Sequence, residues 1–128
     1  MKTFRIDAAA RLVIVDFAGV VTLSDLRAGL DEYNQTDPQY SFLIDLTAVE
    51  EFRVASEGIR LIAKGCCSGA RKCAVIAPTA VAFGLARMYE AHADNCVVAV
   101  FRDAAAARQW LGGGTVSGSG KADAVSAC

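Results

Sequence analysis

The chain is short of the residues from which catalytic and metal centres are built, with one histidine, one tryptophan and two prolines in 128 residues. His92 has no G-x-S-x-G segment to work with, and no Gly-rich loop stands before a helix in the form that cradles phosphate. Clustered basic residues are missing too: 13 Lys and Arg are interspersed with 14 Asp and Glu, for a net charge of -1. Nucleic acid and anionic membranes need basic side chains gathered on one face, so neither is expected as a partner. The longest apolar run, Cys73 to Ala86, is interrupted by Pro78 and Thr79 and falls short of the ~20 residues of a spanning helix. Lys2, Arg5 and Asp7 break up the start of the chain, which therefore lacks the apolar stretch of a secretory signal. A cytoplasmic protein without a membrane span is expected.

Cysteine is present but does not form a framework. Cys66, Cys67, Cys73, Cys96 and Cys128 are odd in number, and most lie among apolar neighbours, as reduced buried thiols do. The adjacent pair Cys66-Cys67 lacks the C-x-x-C spacing that lets two thiolates converge, and His92 lies far along the chain. No metal and no cofactor are expected.

What the chain does have is apolar side chains, 54% of all residues, and a length suited to one core. Phe4 to Asp7 and Arg11 to Phe17 read as two strands joined at Ala8-Ala9-Ala10, with Gly19 ending the second. Thr22 and Asp25 have the spacing of a capping box, and Leu23, Leu26, Leu30 and Tyr33 form the stripe of a first helix that stops before Asp37-Pro38. Ser41 to Leu46 predicts a third strand, and Ser56 caps a helix whose inner face is Ile59, Ile62 and Ala63. A fourth strand from Arg71 to Ala77 leads to a helix capped by Thr79. Cys96 to Phe101 is a fifth strand, Asp103 caps a closing helix, and Gly112 is expected in a left-handed conformation at its end. Strand and helix alternate from Arg11, which predicts α/β architecture with a mainly parallel sheet, and the consecutive apolar residues of the strands predict that both faces are covered. Residues 1–112 make one domain, and 113–128, rich in Gly, Ser and Ala, read as a flexible tail ending in Cys128.

Ile44-Asp45-Leu46 at a strand end, Phe83-Gly84-Leu85-Ala86-Arg87-Met88-Tyr89-Glu90 on a helix, and Phe101-Arg102-Asp103 leading to Ala107 and Trp110-Leu111 together resemble the SpoIIAA-like proteins, relatives of the anti-sigma-factor antagonist (STAS) domains. The resemblance spans about Phe4 to Gly112. It implies a β/α superhelix: a mostly parallel five-stranded sheet with an N-terminal antiparallel hairpin, about four helices, and no catalytic role. In STAS domains that act as phospho-switches a serine at the start of a helix, within Asp-Ser-x-Gly, is phosphorylated; the matching run here is Ala55-Ser56-Glu57-Gly58, with Ala55 in place of the Asp.

On the helix after Thr79, periodicity puts Val81, Leu85, Met88 and His92 toward the core and Phe83, Arg87 and Glu90 on the opposite face, with Arg87 and Glu90 spaced for an ion pair. Gly84 costs ~1 kcal/mol against Ala inside a helix and, with Ala80 and Ala91, makes a strip of small residues beside Arg87. Phe83, Gly84, Arg87, Tyr89 and Glu90 are therefore the expected binding surface, and Ser56 the candidate phospho-switch. The function that follows is a non-catalytic regulatory or interaction module that binds a protein partner or a ligand, as a homodimer where the sheet is incompletely covered. A carrier or sensor of a small apolar, lipid-like molecule is the first alternative, motivated by the hydrophobic content. An enzyme built on Asp45, Arg87 or His92 is the last, since no pair is spaced as nucleophile and base.

Overall fold

The computed structural model describes residues 2–36, 39–64, 72–93 and 97–112. Five strands and four helices lie among them: β1 (Lys2–Asp7), β2 (Leu12–Thr22), α1 (Leu23–Asn34), β3 (Ser41–Arg53), α2 (Ser56–Lys64), β4 (Lys72–Ile76), α3 (Ala80–His92), β5 (Val97–Phe101) and α4 (Ala104–Leu111). The sheet runs β1-β2-β3-β4-β5 in chain order. β1 pairs antiparallel with β2, and the remaining three pairs are parallel. The β1-β2 turn closes with Arg11 in a left-handed conformation (φ 53°) and with Asp7 Oδ1 accepting from the Ala10 N–H at 3.1 Å.

Right-handed crossovers between sequential parallel strands place their helices on one face. That face carries α1, α2 and α3 over Val13, Val15 and Phe17 of β2, Phe42 of β3, Val75 of β4 and Val98 of β5. Tyr33 of α1 stacks on Phe42, with ring centroids 3.9 Å apart. α4 folds back to the other face and closes a smaller core of Leu12, Ile14, Leu43, Ala74 and Ile76 around Ala107. Lys72 fastens it by donating to the Trp110 carbonyl at 3.2 Å.

Caps read from the sequence hold at three helices. Thr22 and Asp25 form the capping box of α1, Thr79 accepts from the Ala82 N–H at the start of α3, and Asp103 accepts from the Ala106 N–H at the start of α4. Ser56 is not the cap of α2: the Ala55 carbonyl accepts from the Gly58 and Ile59 N–H groups, which moves the cap position back to Ala55 and makes Ser56 the first helical residue. Gly112 sits at φ -74°, so α4 ends without the expected left-handed residue, and its N–H bonds to the Arg108 carbonyl instead.

The larger departure concerns strand length. Gly19 does not end β2 but carries it through a bulge at φ 69°, and β3 continues past Leu46 to Arg53, paired with β2 as far as Thr22. β4 pairs only with Phe42 to Asp45. Beyond that point β2 and β3 form a two-stranded extension, whose Val49 and Phe52 turn toward the core while Glu50 and Glu51 stay in solvent. The expected tail, 113–128, lies outside the described residues.

Candidate functional site

The face under α1, α2 and α3 is incompletely filled. Phe17, Phe42, Ile44, Leu46 and Val75 form the floor of a cleft, Leu26, Gly29 and Leu30 of α1 and Ile59 and Ile62 of α2 form its roof, and Leu85, Ala86 and Tyr89 of α3 close one side. Phe52 of the β3 extension completes it. The free space is about 50 Å³ and its wall is almost wholly apolar; Tyr89 brings the one hydroxyl among these residues. α1 and α2 meet near their starts, where a Cβ on Gly58 would lie 3.1 Å from Leu23 Cδ2, and the cleft lies one turn further along both helices.

Solvent reaches this space. Ile44 belongs to the middle strand of five, with neighbours on both sides, yet it is only half-buried, whereas Phe42 on the same face is 1% exposed. Leu26, Phe52 and Leu85 are half-buried as well, which makes these four residues the mouth of the cleft.

The rotation of α3 creates the gap. Periodicity points Val81, Leu85, Met88 and His92 inward, but the residues that bury are Ala82, Ala86, Tyr89, Glu90 and Ala93, while Val81 is 63% exposed. The helix is turned by about one residue, so that the small side chains of Ala82 and Ala86, with Ala93 just past its end, face inward. Phe83 meanwhile holds the flank of the helix nearest the end of β5: the Arg102 guanidinium stands 4.2 Å from its ring centroid. Ala86 then occupies the inward position at the cleft, where a longer side chain would have filled the space.

The expected surface residues are divided by this rotation. Gly84 and Arg87 are exposed and Phe83 is half-buried, but Tyr89 turns into the cleft, and Glu90 is 8% exposed rather than on a solvated face. The Arg87-Glu90 ion pair is present, Nε to Oε1 at 2.9 Å. Ser56 is exposed on the first turn of α2. Asp45 is engaged locally, accepting from the Thr47 N–H at 2.9 Å, and Asp103 acts as a cap. His92 is half-buried at the last residue of α3. Cys73 is buried, and Cys66, Cys67, Cys96 and Cys128 lie outside the described residues. Among the described residues no three His, Cys, Asp or Glu side chains gather as a metal site, and no helix is long and apolar enough to cross a membrane.

Phe17, Gly29 and Phe52 are wall residues to which the sequence reading assigned no place in a helix stripe or site. Gly29 carried a signal: a glycine inside the apolar stripe of α1 marks a close approach. A Cβ there would lie 3.1 Å from Phe17 Cζ, so the glycine makes room for the ring on the cleft floor. Such an arrangement can hold an apolar group; its wall presents no carboxylate or imidazole for proton transfer. Comparison of the chain with protein-family models, with curated proteins and with solved structures finds no match.

Proposed function

We propose that this chain is a non-catalytic binding domain that takes a small apolar group into the cleft between its sheet and α1, α2 and α3. The observation that carries the reading is the apolar opening that leaves Ile44, on the central strand, in reach of solvent. For a closed, dry cavity a space of about 50 Å³ would cost roughly 1.2 kcal/mol at about 24 cal/mol per Å³, which is the upper bound of what one larger side chain at position 86 could recover in this open cleft. Retaining it is what a ligand site requires. The sequential strand order, with three helices on one face, supports a relationship to the SpoIIAA-like proteins, which carries the same expectation of binding without catalysis.

Native mass spectrometry of the protein purified from its own cells tests the proposal. A co-purifying apolar mass lost on organic extraction is expected; bare protein that also takes up no apolar compound on incubation would sink it.

A second reading is favoured by Gly84, whose added Cβ would meet nothing within 4 Å. No contact inside the described chain calls for a glycine there, so a partner protein packed on Gly84 and Arg87 would account for it. Gly84→Leu should then abolish capture of that partner while leaving ligand uptake by the cleft unchanged.

A further inference from the structure

We infer that the ligand of the cleft is a single unbranched alkyl chain, inserted methyl end first, with its polar end left outside; this rests on the cleft being a binding site. Three observations lead there. The wall offers almost nothing polar, so a hydrogen-bonding group pushed inside would lose its water without replacement, at a cost of roughly 2 to 7 kcal/mol. The buried part of the ligand is therefore hydrocarbon. The space of about 50 Å³ is far below the ~150 Å³ in which an apolar cavity takes up benzene, so a ring does not fit while the end of a chain does. The cleft is also open at Ile44, Phe52 and Leu85, so the rest of a long ligand has somewhere to go.

Of the cations adjacent in sequence to the wall, two are engaged by carboxylates, while Arg27 and Arg60, next to Leu26 and Ile59, are exposed. Arg53, next to Phe52, is bonded to Glu51 at 3.0 Å, and Arg87, next to Ala86, to Glu90 at 2.9 Å. What the cleft reads is the chain.

The test is a titration of the 128-residue protein with n-alkanols and n-alkanoates of increasing length, and with benzene and cyclohexane. Calorimetry gives the affinity and methyl NMR the location. Affinity should rise about fourfold per methylene, the factor corresponding to ~0.8 kcal/mol per buried CH₂, and the alcohol and carboxylate series should rise together. Shifts are expected at Ile44 and Ile62 and not at Ile14 and Ile76, which belong to the other face. Ala86→Leu should weaken binding at least tenfold, and Val81→Ala, outside the cleft, should leave it unchanged; if Ala86→Leu does not fold, the methyl shifts of the unaltered protein still locate the ligand. A ring compound that shifts Ile44 and binds more tightly than every alkyl probe would overturn the inference while leaving the binding domain intact. Affinity that follows the head group and ignores chain length would also overturn it. No uptake of any probe would remove both the inference and the proposed function.

Discussion

Substituting Ala86 by leucine tests whether the gap beside α3 is real space. Ala86 is 5% exposed and borders the cleft, so the three added carbons have somewhere to go without displacing the sheet. The most that filling 50 Å³ can return is about 1.2 kcal/mol, at roughly 24 cal/mol per Å³. Fixing the leucine rotamer takes back about 0.5 to 1 kcal/mol, and the difference in helix propensity is smaller still. The expected result is a neutral to slightly stabilising change, between 0 and about +0.7 kcal/mol by these magnitudes. Ala107→Leu is the comparison: Ala107 is 0% exposed in the core under α4, does not line this cleft, and should lose about 1 to 3 kcal/mol to overpacking. Urea unfolding resolves the two, and so does thermal unfolding, where 1 kcal/mol moves the midpoint by about 4 °C in a domain of this size. Equal losses in both variants would mean that position 86 is as tightly packed as position 107, and the cleft would have to be abandoned.

Other substitutions probe the frame around the cleft. Thr22→Ala removes the acceptor for the Asp25 N–H and should cost about 0.5 to 2 kcal/mol in urea unfolding. Asp25 is held below its ordinary carboxyl value of 3.8, chiefly because its carboxylate accepts from the Thr22 N–H, so its contribution is complete above that value and disappears as pH falls through and below it. Asp25→Asn should accordingly flatten the stability-pH curve below about pH 4 and leave its shape at neutral pH unchanged. Gly84→Ala lies on an exposed helix surface with open space at the Cβ and should stabilise by about 0.5 to 1 kcal/mol; a loss would show that the glycine conformation is required. Gly29→Ala should push the Phe17 ring toward the cleft, keep stability within about 1 kcal/mol because helix propensity offsets the crowding, and reduce alkyl uptake in the same calorimetric titration.

Much of the frame was legible in the sequence because its signals are local. A side-chain oxygen three residues ahead of an apolar stripe says where a helix begins, and Thr22, Thr79 and Asp103 all cap as their spacing indicates. Runs such as Leu12 to Val15 and Cys73 to Ala77 say that a strand is covered on both faces, which the cores on either side of the sheet bear out. The extension of β2 and β3 was not legible, since Gly19 reads as a terminator when the strand is considered alone. Only the partner strand, supplying a parallel ladder from Ala48 to Arg53, turns that glycine into a bulge. Ser56 missed its role by one position for a related reason: the strand that precedes it is longer, and Ala55 receives the first helical bonds.

The orientation of α3 is where local pattern and tertiary packing part, and the cleft comes from that parting. A hydrophobic stripe reports which side chains gain most from leaving water, and by that measure Val81, Leu85 and Met88 belong inside. Closeness to the sheet is a competing gain, available only to small side chains, and Ala82, Ala86 and Ala93 provide it along one line of the same helix. With the alanine line inward, Ala82 and the capping residue Ala93 are buried, while Leu85 and Tyr89 border the space beside Ala86. Had the leucine-methionine line faced the sheet, the same volume would have been filled by the chain's own side chains. A helix that leaves Val81 in solvent and keeps an unfilled apolar space sacrifices stability at two places. Occupancy of the cleft by an apolar ligand would recover the second of these, which is why the proposed binding rests on the rotation of α3 as much as on the free volume.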